Sequence, residues 1–191
     1  MAIVFLNPDG ASSIAGWNTG YSTTASHLSQ GDTSNEWRTN AAQTGKVIFT
    51  LDDFNNTGVD SITNIKHQLI CYADARSGTF DAIVAIRNAA GQTLYTETHA
   101  NTVGAGFQTF TGTARTTSDG SSAWTDSDLD GLKLFLTCVG GPHNHIVQQL
   151  YITVTYVESG YPHKVNGTPG ADISSIKAVP GANIGTIIGV G

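Results

Sequence analysis

Charge is scarce in this sequence. Only 13 % of its residues are charged, and nine Lys and Arg face fifteen Asp and Glu, for a formal net charge of -6. Binding a phosphate backbone takes clustered Lys and Arg, and no basic run occurs in the chain. A nucleic-acid partner is therefore not expected, nor is an anionic membrane surface. No apolar stretch approaches the roughly 18 residues of a membrane-spanning helix. The opening Met1-Ala-Ile-Val-Phe-Leu6 lacks the basic start, long apolar region and cleavage site of a secretory signal, so use without Sec export is expected. Cysteine is limited to Cys71 and Cys138, too few for a disulfide framework. Both lie on the apolar parity of expected strands, where buried free thiols are expected rather than a bridge. Gly-x-Ser-x-Gly, the phosphate loop and His-Glu-x-x-His are missing, and the carboxylates are too scattered to nominate a glycosidase pair. The expectation is a protein that is not an enzyme and carries no cofactor.

What the chain does have is two-residue alternation. Lys46–Asp52 places Val47, Phe49 and Leu51 on one side. Ile62–Ala73 does the same with Ile65, Leu69 and Cys71, Phe80–Arg87 with Phe80, Ala82, Val84 and Ile86, and Leu132–Val139 with Leu132, Leu134, Leu136 and Cys138. In Ile146–Val157 the inward set is Ile146, Leu150, Ile152, Val154 and Tyr156, with Gln149, Tyr151, Thr153 and Thr155 outward. Ala2–Leu6, Thr93–Thr98 and Gly106–Ala114 also read as strands. Asn7-Pro-Asp-Gly10 and Ala89-Ala-Gly-Gln92 read as turns, the second closing a hairpin. Ala11–Thr44 is too long for a bare loop and is expected to hide one or two short strands. Strands with one polar parity suit antiparallel sheets with a wet face. The fold class is all-β: an antiparallel two-sheet β-sandwich of the jelly-roll type over residues 1–158.

Residues 159–191 form a different unit, an extended Gly/Ala/Ile tail with an 11-residue repeat. Val165-Asn-Gly-Thr-Pro-Gly-Ala-Asp-Ile-Ser-Ser175 is followed by Ile176-Lys-Ala-Val-Pro-Gly-Ala-Asn-Ile-Gly-Thr186, and a third copy begins at Ile187. Such a tail has too few bulky side chains for a core, and its glycines lose much entropy on ordering. It can be flexible linker, yet its aliphatic residues would each gain roughly 1.5–3 kcal/mol from full burial. They are better read as pegs for a neighbouring chain: Val165, Pro169, Ile173, Ile176, Val179, Pro180, Ile184, Ile187, Ile188 and Val190.

Other candidates are weaker. Asp126-Ser-Asp128-Leu-Asp130-Gly131 has the spacing that opens an EF-hand calcium loop, but its twelfth position is Thr137 and its flanks read as strands, so an acidic turn is expected and no metal site. His143 and His145 follow Gly140-Gly-Pro142 and are expected as surface histidines in a hairpin tip. His67, on an inward parity, is expected as a core histidine with a hydrogen-bond partner. Trp17, Trp37 and Trp124 could form a sugar-stacking platform, or each could anchor the core; the core role is favoured.

The run Ala123-Trp-Thr-Asp-Ser-Asp-Leu-Asp-Gly-Leu132, with a strand and then Gln149-Leu-Tyr-Ile-Thr-Val-Thr-Tyr156, resembles a β-sandwich type common in structural proteins of tailed bacteriophages. The tail of Asn-Gly or Pro-Gly, Ala and Ile units is similar to the C-termini of other phage virion proteins. The resemblance implies a virion structural protein made in the host cytoplasm. Its first expectation is a capsid cement or decoration protein on the capsid exterior, with the major capsid protein and other copies of itself as partners and the tail lacing between subunits. The alternative is a tail, baseplate or fibre component, or a glycan-binding adhesin module.

Overall fold

The computed structural model describes residues 1–18, 24–40, 44–56, 58–74, 79–102, 104, 106–139 and 144–159. The repeat tail, with all ten expected partner-contact residues from Val165 to Val190, lies outside the described residues.

Among the described residues there are ten strands: β1 (Ala2–Leu6), β2 (Pro8–Ala15), β3 (Trp37–Arg38), β4 (Gly45–Leu51), β5 (Val59–Asp74), β6 (Thr79–Arg87), β7 (Thr93–Thr102), β8 (Gln108–Thr111), β9 (Lys133–Cys138) and β10 (Asn144–Glu158). One sheet runs β1-β10-β5-β8, with β3 also beside β10, and the other runs β2-β4-β9-β6-β7. Every pairing among these strands is antiparallel. From β4 onward the chain passes repeatedly between the sheets, as a jelly roll does. A single 3-10 turn (Ala25–Leu28) and a four-residue helix α1 (Asp126–Leu129) complete the described elements.

The alternation in the sequence is what builds the core. Val47 and Phe49 of β4, Leu134 and Leu136 of β9, Val84 and Ile86 of β6, Ile65 and Leu69 of β5, and Leu150, Ile152 and Val154 of β10 are all buried in one cluster. Burying one face of each sheet against the other removes this apolar area from water, and the solvent faces keep the Thr, Lys and Asn of the opposite parity. Cys71 and Cys138 are free buried thiols, as expected.

Ala11–Thr44 holds two short strands, as expected: most of β2, and β3. The structure departs from expectation in three places. β2 already starts at Pro8, inside the stretch read as the Asn7–Gly10 turn, and pairs with β4. In β10 a register shift between Val147 and Gln149 reverses the parity. Val147, not Ile146, therefore joins the core cluster. The side chains expected to face water from β10 are largely covered. Tyr151, Gln149 and Thr153 are buried, with Tyr151 Oη donating to Gln68 Oε1 at 2.7 Å and Gln149 Nε2 donating to Asp32 O at 3.0 Å.

Candidate functional site

One end of the sandwich is built to present polar side chains. Pairing of Lys133 with Arg87 and Thr50, and of Val59 with Glu158, brings the end of β6, the starts of β9 and β5, and the segment before α1 to that end. The β6–β7 turn is tied by Asn88 N donating to Gln92 O at 3.0 Å and by Gln92 N donating to Asn88 Oδ1 at 2.9 Å. Gly91, at φ +82°, makes the left-handed step that side chains resist. Next to it Asp119 Oδ1 accepts from Ser122 N at 2.7 Å and Ser121 N at 2.8 Å. Those backbone donors, Ser122 first, hold the Asp119 carboxyl well below the usual carboxylate range. α1 starts on a reciprocal cap: Asp128 N donates to Thr125 Oγ1 at 3.3 Å and Thr125 N donates to Asp128 Oδ2 at 2.9 Å. Leu129, fully buried, pins the helix to the core.

Trp124 sits at the centre. Its indole is 4 % exposed and donates Nε1–H to Arg115 O at 2.8 Å. Two hollows open to solvent on either side of it. One, of ≈ 370 Å³, is walled by Asn88, Leu94, Ser118, Asp119 and Asp128. The other, of ≈ 510 Å³, is walled by Val59, Asp60, Ser61, Thr125 and Asp126. Both share Trp124 as part of the wall and the exposed Ser127 at the rim. The two hollows adjoin at Trp124 and Ser127 and are rimmed by hydroxyls, amides and carboxylates, in the volume range of small-ligand sites.

Trp17 and Trp37 are buried and pack edge to face, with centroids 5.4 Å apart, and Trp37 continues onto Phe49 at 5.2 Å. The three indoles are core anchors, and no exposed platform forms from them. Asp126, Asp128 and Asp130 are not gathered as calcium ligands. Asp128 caps α1, and Asp130 Oδ1 accepts from Phe54 N at 2.9 Å. His145 is not a surface histidine: β10 already starts at Asn144, and the ring is 1 % exposed with Nε2 2.8 Å from Val139 O. His143 lies outside the described residues.

His67 is the core histidine expected, and its partner was not foreseen. It faces His99 across the sheets, Nε2 to Nε2, at 2.7 Å. β7 turns Tyr95, Glu97, His99 and Asn101 inward, so a polar seam closes this side of the sandwich. Glu97 accepts from Thr113 N at 3.0 and 3.1 Å and from an Arg115 terminal nitrogen at 2.6 Å. Arg115 also lies over the Tyr95 ring, 4.5 Å from its centroid. Burial first, and then the neighbouring His99, pushes the His67 pKa down to about 4, and burial lowers His99 as well. For Glu97 burial acts upward, but Thr113, Arg115 and His67 outweigh it and hold the carboxyl below its ordinary value. At neutral pH the seam therefore carries two neutral imidazoles and one carboxylate.

No family model matches the sequence, and no curated protein matches it. Among solved structures, the enzymatically active domain of tailspike protein 4 from bacteriophage CBA120 aligns at TM-score 0.45 and 8 % identity, over 81 % of this chain and 19 % of that one. The lectin domain of lectinolysin in complex with Lewis B antigen aligns at 0.43 and 13 %, over 75 % and 91 %. A chitosan-binding module of a chitosanase/glucanase from Paenibacillus sp. IK-5 aligns at 0.42 and 16 %, over 81 % and 100 %. The chain spans only 26 % of an arabinose-bound α-L-arabinofuranosidase that it also resembles, at 0.42 and 13 %. At these scores the likenesses carry no functional argument.

Proposed function

We propose that this chain is a non-enzymatic binding module for neutral or amino-sugar glycans, set in a tail or fibre component of a phage particle. The observation that carries the binding reading is the groove of two adjoining hollows at Trp124. Sugars present flat apolar C–H faces and paired hydroxyls. A groove with Leu94 and only the edge of the buried Trp124 in its wall, and with Asn88, Ser118, Asp60 and Asp126 around its rim, offers a small apolar contact and many polar ones. Its charged rim residues are all carboxylates, so it repels sulfated or uronic polymers and admits neutral or cationic sugars. Hydrolysis is the weaker reading, because a glycosidase acid needs a raised pKa. Asp119 is held down instead, and Asp128 is engaged in the cap of α1. The phage setting is supported by the resemblance carried in residues 123–132 and 149–156.

The test is a glycan array with the full chain, repeated with Ser127→Tyr. That substitution puts a ring into the shared rim without removing any core contact. Binding to neutral or amino-sugar glycans that is lost in the variant is the expected result. Equal binding by the variant, or none by the wild type even at high sugar concentration, overturns the reading.

A second reading keeps the structural role and has one observation of its own. β1 is an edge strand of its sheet, and it exposes Ile3 and Phe5 beside Met1. An apolar open edge is a template for pairing with a second copy. Light scattering of the full chain should then show an oligomer that Ile3→Lys dissolves, whereas a monomer at all concentrations removes this reading. The capsid-cement expectation depends on the tail beyond residue 159 and gains no support from the described residues.

A further inference from the structure

We propose that His67, Glu97 and His99 form a binding site for a divalent transition-metal ion of the zinc class. Among the described residues this is the one group whose His, Cys, Asp or Glu ligand atoms converge in threes. One ring nitrogen from each histidine and a carboxylate oxygen lie within 4.8 Å of one another. Two imidazoles and a carboxylate suit zinc and its neighbours, whereas calcium and magnesium take oxygen sets. The site lies apart from the glycan groove and does not rest on that reading.

The two imidazoles stand close to ligating separation, and the carboxylate oxygen lies within 4.8 Å of both. A tetrahedral ion with arms of about 2.0–2.2 Å sets its ligand atoms roughly 3.3–3.5 Å apart. The two Nε2 atoms now stand at 2.7 Å around a shared proton. They must open by roughly 0.6 Å, and the ring that donates must shift its proton from Nε2 to Nδ1. Both rings stay neutral, so loading at neutral pH releases no proton from them. For Glu97, Oε1 accepts from Thr113 N and Arg115, while Oε2 accepts from Thr113 N alone among the described residues. Oε2 therefore has a free lone pair to offer.

Neighbouring groups hold the three side chains in place. Arg115 and Thr113 fix the carboxylate from behind. The His99 ring stacks on Phe110, with centroids 5.1 Å apart and planes at 26°. The His67 ring is held against Gly112, where any side chain would collide with it. Glu97 and His99 project from alternate positions of β7, and His67 from β5, so the three come from the two facing sheets. His67 is buried while the other two are half-buried, which leaves the outward side for a water or a fourth ligand. Arg115 offsets the single negative charge of Glu97, so the site should bind with moderate affinity.

The experiment uses the full chain without an affinity tag, stripped with chelator and titrated with Zn²⁺ and Co²⁺. At Zn²⁺ about 100-fold above Kd, the melting temperature should rise by roughly 5–10 °C. Bound Co²⁺ should give the visible absorption of a four-coordinate site. His99→Gln and Glu97→Gln should each weaken binding at least about tenfold. Histidine nitrogen NMR of the wild type covers the case in which a variant fails to fold: the His67 and His99 Nε2 signals should be the ones that move with metal. The proposal is overturned by the absence of any melting shift and cobalt spectrum, by equal binding in both variants, or by metal-induced shifts confined to other histidines.

Discussion

Acid should unfold this protein through its histidines before its carboxylates matter. His67 is 3 % exposed, and its pKa falls from 6.5 to about 4 on folding. Below pH 6.5 the unfolded chain therefore binds a proton that the folded chain refuses until about pH 4. Stability is complete above the unfolded value and is lost as pH falls toward the folded one. A difference of this size corresponds to about 3 kcal/mol between pH 7 and pH 4, a large share of the total stability of a small domain. His99 and His145 are lowered too and add losses of the same sign. Around His67, Glu97 favours the charged ring while His99 and Arg115 oppose it, so burial decides. The assay is urea unfolding at intervals between pH 7 and pH 4.5, for wild type and His67→Gln. Near pH 5.2 the variant should lose about 1.2 kcal/mol per pH unit of slope, because one fewer proton is taken up on unfolding. Equal slopes would refute the reasoning. So would an NMR titration of His67 with an ordinary midpoint near 6.5, and that measurement stands even if the variant does not fold.

Two further outcomes follow from close contacts. Gly112→Ala should destabilise the fold by about 1–3 kcal/mol, the usual range for overpacking, because the added methyl would press on the His67 ring; thermal melting checks it, and an unchanged midpoint would mean the seam is looser than described. Cys71 is buried, with its thiol pKa pushed up to about 12, and burial also raises Cys138; labelling of both by a thiol reagent should follow global unfolding and slow with added stability, and fast labelling of the native chain would contradict it.

Much of the sandwich was readable because one physical signal, alternation, marks a strand whose two faces meet different solvents. Leu134, Leu136 and Cys138 announced β9, and Val47, Phe49 and Leu51 announced β4. β2 was expected only as a short strand without bounds, because it is an edge strand with most of its residues at least partly exposed, so Gly-Ala-Ser-Ser carries no apolar parity. It also takes two register shifts and a non-glycine residue, Ser13, at φ +53°. The parity switch in β10 escaped because a bulge between Val147 and Gln149 is set by pairing with β5, which local composition does not encode. α1 was legible in principle: Thr125-x-x-Asp128 is a capping pattern, hidden behind the more familiar spacing of three aspartates. The groove draws on segments more than 60 residues apart, and nothing local joins Asp60 to Ser127. The His67–Glu97–His99 group did leave a trace. Extending the strand expected at Thr93–Thr98 by four residues puts Tyr95, Glu97, His99 and Asn101 on one parity, a polar inner face that asks for a partner across the sandwich.

The two sites share one piece of chain, and this explains where each can be altered. Between Gly112 and Trp124 the backbone crosses the open side of the sandwich. Gly112 makes room for the His67 ring, and Thr113 and Arg115 hold Glu97. Arg115 exchanges backbone hydrogen bonds of 2.8 and 3.0 Å with Ile65, and its carbonyl also accepts from Trp124. Tyr95 Oη donates to Thr117 O, two residues on, and Ser118 and Asp119 then form the groove wall. A polar seam gives up apolar closure here. In exchange, directional hydrogen bonds fix the segment that carries one side of the groove, which an apolar seam would leave freer to slide. Changes in the seam are expected to reach the groove, through Arg115 and Trp124. Changes at Ser127 or Asp60 lie outside the crossing segment and touch the groove alone. A Ser127 variant that also altered metal uptake, or a Glu97→Gln variant with unaltered glycan binding and an unmoved Trp124, would show that the segment does not transmit between them.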